Sequence, residues 1–337
     1  MAQRERQRDL KIAVIGGGTG SFMLLQALKK YTSDIAALVN MVDDGGSTGV
    51  LRDELGVLPP GDVRQCLVAL SEAPEMRDLF TYRFDEGSLG GHSFGNLFLT
   101  ALQKMTGSFG QGVELAGEVL NITGTVEPIT LENITLLTEF ADGKVLRGEN
   151  LISQTPVGIK KGQKFWLEPA VQANPRALAA INQADIVVIA PGSLYGSLGP
   201  ALMVPGVGRA LKNTRALIVY VCNLVTKPGQ TSGYSVVDFA SELERLAGGP
   251  FLDAVLVNTQ PITKRLVKSY SGQQELPVAL PANLKDIHYK VVGAPLLGKA
   301  KSVSLQKGDS LAHQRSLIRH DGDLVVKAVL NIYNSLG

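Results

Sequence analysis

The sequence predicts an α/β protein with a Rossmann-like, doubly wound and mainly parallel sheet that carries a β-rich insertion. Three observations lead there. Apolar runs of strand length recur at residues 12–15, 35–42, 184–190, 216–223 and 253–258. Glycine-rich or polar loops follow them and stretches of helical spacing separate them, an order that gives parallel pairing and right-handed crossovers. Between residues 124 and 169 the texture turns to alternating, β-branched stretches with an Asp142-Gly143 turn signal, the pattern of antiparallel hairpins.

Residues 1–10 are charged and lack the apolar core of a signal peptide, so they read as a flexible extension before one domain over residues 11–337. The first strand runs directly into G-G-G-T-G-S at 16–21, and Phe22, Leu24, Leu25 and Leu28 then return at helical spacing. Strand, glycine turn and helix in this order form an anion site. Glycine lets the backbone approach a ligand, and the helix start offers free N–H groups and the positive end of its dipole. Gly17, Gly18, Thr19 and Gly20 are the candidate contacts. The next strand ends on Asp43-Asp44, which places two carboxylates at the carboxyl edge of the sheet. Neither glycine frame completes G-x-G-x-x-G, yet Asp43 stands about 20 residues on, where a NAD fold has its ribose acid, so NAD stays open. A G-x-x-x-x-G-K-[ST] loop is absent, which disfavours a P-loop ATPase.

Pro59-Pro60-Gly61-Asp62 halts the chain and starts a helix, with Asp62 expected as its N-cap and Arg64 beside it. Residues 90–96 form another glycine-rich loop before a helix, carrying His92 and Asn96. His92 is open to three roles: acid/base group, phosphate donor or helix-entry residue. A helix over residues 172–183 follows the insertion. The buried strand at 184–190 leads into Pro191-Gly192-Ser193-Leu194-Tyr195, a second strand-to-loop anion site in which Gly192, Ser193 and Tyr195 are candidates. The strand at 216–223 ends on Asn223. Beyond Pro261 a last strand is expected near Val291-Val292 and a closing helix at 324–333, with Tyr270, Arg319 and His320 marked between.

Composition narrows the function. With 337 residues, 45% of them hydrophobic, the chain can bury a large core. Its net charge is +2 with both signs mixed, so nothing points to nucleic acid. No run approaches the ~20 apolar residues of a membrane span. Cys66 and Cys222 sit in apolar stretches and read as buried thiols of a reducing, cytoplasmic compartment. Four histidines without H-x-x-x-H or C-x-x-C argue against a transition-metal site. Mg²⁺ is the metal cofactor the residues could take, at Asp43 and Asp44, because it favours carboxylates together with substrate phosphates.

Six blocks taken together resemble one family: G-G-G-T-G-S (16–21), V-D-D-G-G-S-T-G-V-L-R (42–52), P-P-G-D-V-R (59–64), G-H-S-F-G-N-L-F (91–98), A-P-G-S-L-Y (190–195) and C-N-L-V-T-K-P-G-Q-T-S-G-Y (222–234). The chain resembles the gluconeogenesis factor family, the YvcK-like branch of the CofD-like superfamily, over about residues 10–335. The resemblance implies a Rossmann-like domain that binds a UDP-sugar such as UDP-N-acetylglucosamine. It further implies a role in cell shape and peptidoglycan synthesis during gluconeogenic growth, with cell-wall synthesis proteins as conceivable partners and a homo-oligomer open. The related branch is a Mg²⁺-dependent enzyme, 2-phospho-L-lactate transferase, in which the matching aspartates lie at the metal and acceptor site. On that alternative Asp43, Asp44 and Asp62 would be the catalytic carboxylates. Tyr270 and Arg319 fall where the YvcK-like branch contacts uracil and phosphate. Gln230 stands where relatives usually carry Glu, so a negative charge is lost there.

Overall fold

The computed structural model describes residues 10–155, 158–262, 275–282, 284, 286–298 and 318–336. Its centre is a seven-stranded sheet in the order β10-β9-β8-β7-β1-β2-β3. The strands are β1 (Ile12–Gly16), β2 (Ile35–Val39), β3 (Thr125–Pro128), β7 (Ile186–Ile189), β8 (Leu217–Val221), β9 (Ala254–Asn258) and β10 (Lys290–Ala294), every neighbouring pair being parallel. Ile12, Val14, Ile15, Val187, Val188 and Ile189 are all buried because helices cover both faces. A parallel sheet buried on both sides needs continuous apolar strands, which is why these runs do not alternate.

Register sets the site. Ile15 lies opposite Leu38 on one side and Ile189 on the other, so β1, β2 and β7 end at one level. Chain order reverses between β1 and β7, and ligands of open α/β sheets bind at such a switch point beyond the carboxyl ends. The helices are α1 (Gly18–Leu28), α2 (Gly46–Leu55), α3 (Gly61–Leu70), α4 (Pro74–Thr81), α5 (Phe94–Thr106), α6 (Phe109–Val119), α7 (Glu149–Gln154), α8 (Pro175–Gln183), α9 (Gly199–Met203), α10 (Val207–Asn213), α11 (Val236–Leu246) and α12 (Gly322–Leu336). Among the described residues no helix is long and apolar enough to cross a membrane. Cys66 and Cys222 are free and buried, as their apolar surroundings predict.

Three expectations shift. The insertion is shorter than residues 124–169, because β3 pairs in parallel with β2 and forms the edge of the main sheet. Pro128 fits there, since an edge strand leaves one backbone row without a ladder partner. The separate sheet is three-stranded and antiparallel, order β5-β4-β6, built from β4 (Thr135–Glu139), β5 (Val145–Arg147) and β6 (Phe165–Glu168), and β4 and β5 meet at the Asp142-Gly143 turn. Asp62 is not the N-cap of α3: Pro60 occupies that position and Asp62 lies in the first turn. The helix expected from residue 172 begins at Pro175, where the Asn174 side chain accepts from the Arg176 N–H at 3.0 Å.

Candidate functional site

The glycine turn after β1 separates two unlike compartments. Its Gly17 end abuts Asp62: a Cβ on Gly17 would lie 2.1 Å from Asp62 Oδ2. Its other end abuts the loop after β7, where a Cβ on Gly20 would lie 1.8 Å from the Pro191 carbonyl oxygen. Gly18 has φ +63°, a conformation that glycine adopts without strain. These contacts explain why the turn is so rich in glycine. Each missing side chain lets β1, α1, α3 and the β7 loop converge.

On the Asp62 side stand four half-buried carboxylates, those of Asp43, Asp44, Asp62 and Glu149. Asp43 Oδ1 accepts from the Gly45 N–H at 3.1 Å. Asp44 Oδ1 accepts from the Asn150 N–H at 2.8 Å, which ties the end of β2 to α7 and the inserted sheet. Glu149 Oε1 accepts from Ser153 Oγ at 2.5 Å and packs so closely on Gly196 that a Cβ there would sit 2.2 Å away. Burial pushes the Asp62 carboxyl up to about 7, helped by the charges of Asp43 and Glu149. Burial likewise pushes Glu149 up to about 6 and raises Asp43. Like charges withdrawn from water resist ionising together, so Asp43, Asp62 and Glu149 ionise less readily than separate, solvated carboxylates would.

On the other side is an open cavity of about 170 Å³, lined by Thr19, Gly20, Met23, Pro191, Gly192, Asn223, Leu224, Val225, Ile318, Arg319 and His320. A void of about 150 Å³ accommodates one benzene ring, so this volume suits a single heterocycle. Met23, Leu224, Val225 and Ile318 supply apolar walls, while Thr19, Asn223 and Arg319 supply polar edges. His320 is buried, and burial lowers its pKa to about 4, so its imidazole stays neutral.

The expected residues divide accordingly. Gly17, Gly18, Asp43, Asp44 and Asp62 gather on the acidic side; Thr19, Gly20, Gly192, Asn223 and Arg319 gather around the cavity. The Asn223 amide already donates to the Gly192 carbonyl at 2.8 Å, and its oxygen accepts from Tyr220 Oη at 3.0 Å, so it braces the cavity wall. Ser193 Oγ accepts from the Gly196 N–H at 3.2 Å, capping the π-turn Leu194–Leu198. Arg64, Asn96 and His92 form a chain of their own: Arg64 Nε donates to Asn96 Oδ1, Asn96 Nδ2 donates to Ser47 Oγ, and Ser47 Oγ meets His92 Nδ1 at 2.9 Å. That chain fixes the start of α2 behind the aspartates.

Tyr195 is drawn away from the ligand cleft. It is 1% exposed, its ring stacks on Phe165, and its hydroxyl bonds Tyr234 and Glu242. The strand-to-loop pattern makes Tyr195 a candidate ligand contact, but the π-turn rotates this position into the core. Tyr270 lies outside the described residues. Sequence reasoning missed Glu149, Ser153, Asn40 and Lys227. Glu149 comes from the inserted segment, and the helix start after Gly148 was its only local mark.

A group of three or more His, Cys, Asp or Glu that could hold a metal ion is not found among the described residues. Mg²⁺ takes one or two carboxylates together with a ligand's phosphates, and Asp43 and Asp44 are the residues that would hold it that way.

Residues 12–297 match the family described as 2-phospho-L-lactate transferase CofD. The chain is 36% identical to the gluconeogenesis factor of Bacillus subtilis over 324 residues, covering 96% of this chain and 98% of that protein. It is 38% identical to the gluconeogenesis factor of Halalkalibacterium halodurans, covering 95% of each. A crystal structure of a Bacillus halodurans protein superposes with a TM-score of 0.86 at 36% identity, covering 95% of this chain and 99% of that one.

Proposed function

The chain belongs to the CofD family, and from that premise we propose that its switch-point cleft binds a UDP-linked sugar and that the protein acts as a regulator rather than a catalyst. One observation carries the ligand class. A ring-sized cavity with apolar walls and polar edges lies across the glycine turn from a carboxylate-lined compartment, so a base, a phosphate bridge and a polar terminal group would meet three successive environments. The turn and the Pro191-Gly192-Ser193 loop would take the bridge, with backbone N–H groups facing its charge. Relatives named gluconeogenesis factor support a role in growth on gluconeogenic carbon, and the resemblance of the six sequence blocks extends that proposal to cell shape and peptidoglycan synthesis.

Calorimetric titration with UDP-N-acetylglucosamine, UDP-glucose, GDP and NAD, each with and without Mg²⁺, tests this reading. Binding of a UDP-sugar that survives chelation, with the ligand recovered intact, is the expected result. The second reading, a Mg²⁺-dependent phospho-group transferase, is favoured by Asp43 and Asp44 at the sheet edge. Such transfer is driven by positioning and by neutralisation of phosphate charge, and Mg²⁺ held by this pair would supply that neutralisation. Selective, Mg²⁺-dependent binding of GDP would replace the regulator with the transferase.

A further inference from the structure

We propose that the acidic compartment selects an uncharged, hydroxyl-rich terminal group on the bound nucleotide and rejects an anionic one. This deepens the UDP-sugar reading and rests on it.

Asp43, Asp44, Asp62 and Glu149 lie close enough to act on one another's ionisation, and among the described residues none of them is in an ion pair. The charges of Arg52 and Arg64 ease the ionisation of Asp43 and Asp62, yet burial outweighs them. Arg52 donates to the carbonyls of Asp43 and Ile134 and to Asn133, and Arg64 donates to Asn96. Lys227 lies near Glu149 and Glu275 and is the one ammonium set against the group. A carboxylate entering this space would add like charge where desolvation already opposes ionisation. Hydroxyls behave differently, because each can donate to a carboxylate and accept from a protonated carboxyl.

Two further observations point to a missing hydrogen-bonding guest. Gln230 is 3% exposed, its Nε2 reaches Ser153 Oγ at 3.4 Å, and its Oε1 has no partner among the described residues. Ser153 in turn donates to Glu149, so the amide lies at the wall of the same compartment. Asn40 is 2% exposed, its Nδ2 donates to the Gly196 carbonyl at 3.3 Å, and its Oδ1 is likewise unpartnered. Gly196 is the residue against which Glu149 packs. Buried acceptors without donors are rare in folded proteins. Donor groups on a ligand or its accompanying water would satisfy both.

Titration of the intact protein with UDP, UDP-glucose and UDP-glucuronate tests the inference, since the two sugars differ at one carbon. UDP-glucose is expected to bind at least tenfold more tightly than UDP-glucuronate. In a Glu149→Gln, Asp44→Asn variant with an unchanged circular dichroism spectrum, the gap should shrink to about twofold while UDP affinity holds. Equal affinity of the wild type for the two sugars, or a gap that persists in the variant, would overturn the selection while leaving the uridine reading intact. Failure of all three ligands to bind would remove that reading and this inference together.

Discussion

Substituents on the two ends of the glycine turn would meet different materials. At Gly17 a Cβ would strike the far end of the Asp62 side chain, whereas at Gly20 it would strike the Pro191 main chain. One flank can therefore yield by rotating a side chain, and the other yields only if β7 and its loop move. The soft flank is polar, partly protonated and joined to the inserted sheet through α7; the hard flank is built on the buried parallel strands.

Replacing the two glycines in turn should expose this difference with the largest effects. Gly20→Ala forces a backbone shift, and overpacking of that kind costs about 1–3 kcal/mol or more. We expect a thermal midpoint lowered by several degrees and loss of uridine-nucleotide binding as the cavity wall is displaced. Gly17→Ala should lower the midpoint less and retain UDP binding, because the atoms in its way, Oδ2, Cγ and Cβ of Asp62, belong to one side chain and none to the main chain. Equal damage from the two substitutions, read by differential scanning fluorimetry and calorimetry, would mean that the flanks are not mechanically distinct.

Next in size is the pH dependence of the soft flank. Asp62 has its pKa raised from 3.8 to about 7 in the folded protein. Between those values the native state holds a proton that the unfolded chain has lost, so stability falls as pH rises through that window and the loss is complete above it. Each unit corresponds to about 1.4 kcal/mol. Asp62→Asn, which keeps an oxygen facing Gly18, should raise the thermal midpoint at pH 8 by several degrees, raise it by roughly a third as much near pH 5, and match the wild type only below about pH 4, where folded and unfolded chains are both protonated. A difference that grows as the pH is lowered would contradict burial as the cause of the shift. Carboxylates kept at such a cost fit a binding site, where stability is commonly sacrificed to function.

Arg319→Ala probes the hard flank by ligand. It lines the cavity and not the acidic space, so its loss should weaken UMP, UDP and UDP-glucose alike by about tenfold, roughly 1.4 kcal/mol. A change confined to the sugar-bearing ligand would place Arg319 on the wrong side of the turn.

The hard flank was legible in the sequence because it is local. Strand, glycine turn and helix occupy consecutive residues, and the apolar runs of β1, β7, β8 and β9 announce a sheet buried on both faces. Asp43 and Asp44 were legible for the same reason, as the residues just past the apolar run of β2. Glu149 was not, because its place beside Asp44 depends on how a three-stranded insertion folds back over the sheet edge, a contact spanning 106 positions between Asp44 and Asn150. Tyr195 misled for a related reason. A tyrosine in the loop after a buried strand reads as a ligand contact, and only the π-turn capped by Ser193 sends its hydroxyl to Tyr234 and Glu242. Asp62 looked like a cap for its own helix, yet its carboxylate faces the start of α1, a neighbour 44 residues earlier at Gly18.

Gln230→Met should give the smallest effect on stability and an opposite one on binding. Methionine has nearly the shape of glutamine and carries no strong acceptor, so it removes the unpartnered Oε1 and forfeits only the 3.4 Å bond to Ser153. Leaving a buried acceptor unpaired costs about 1–3 kcal/mol, and a typical hydrogen bond contributes about 1 kcal/mol net, so the ligand-free variant should be as stable as the wild type or slightly more so. If a sugar or its water donates to that oxygen in the complex, UDP-glucose should bind severalfold more weakly while UDP is unaffected. Stability and affinity then move in opposite directions, as they must when an unsatisfied group is kept for a guest. A variant that is less stable and binds the sugar nucleotide unchanged would instead make Gln230 an ordinary brace for Ser153, and the soft flank would owe its selectivity to the carboxylates alone.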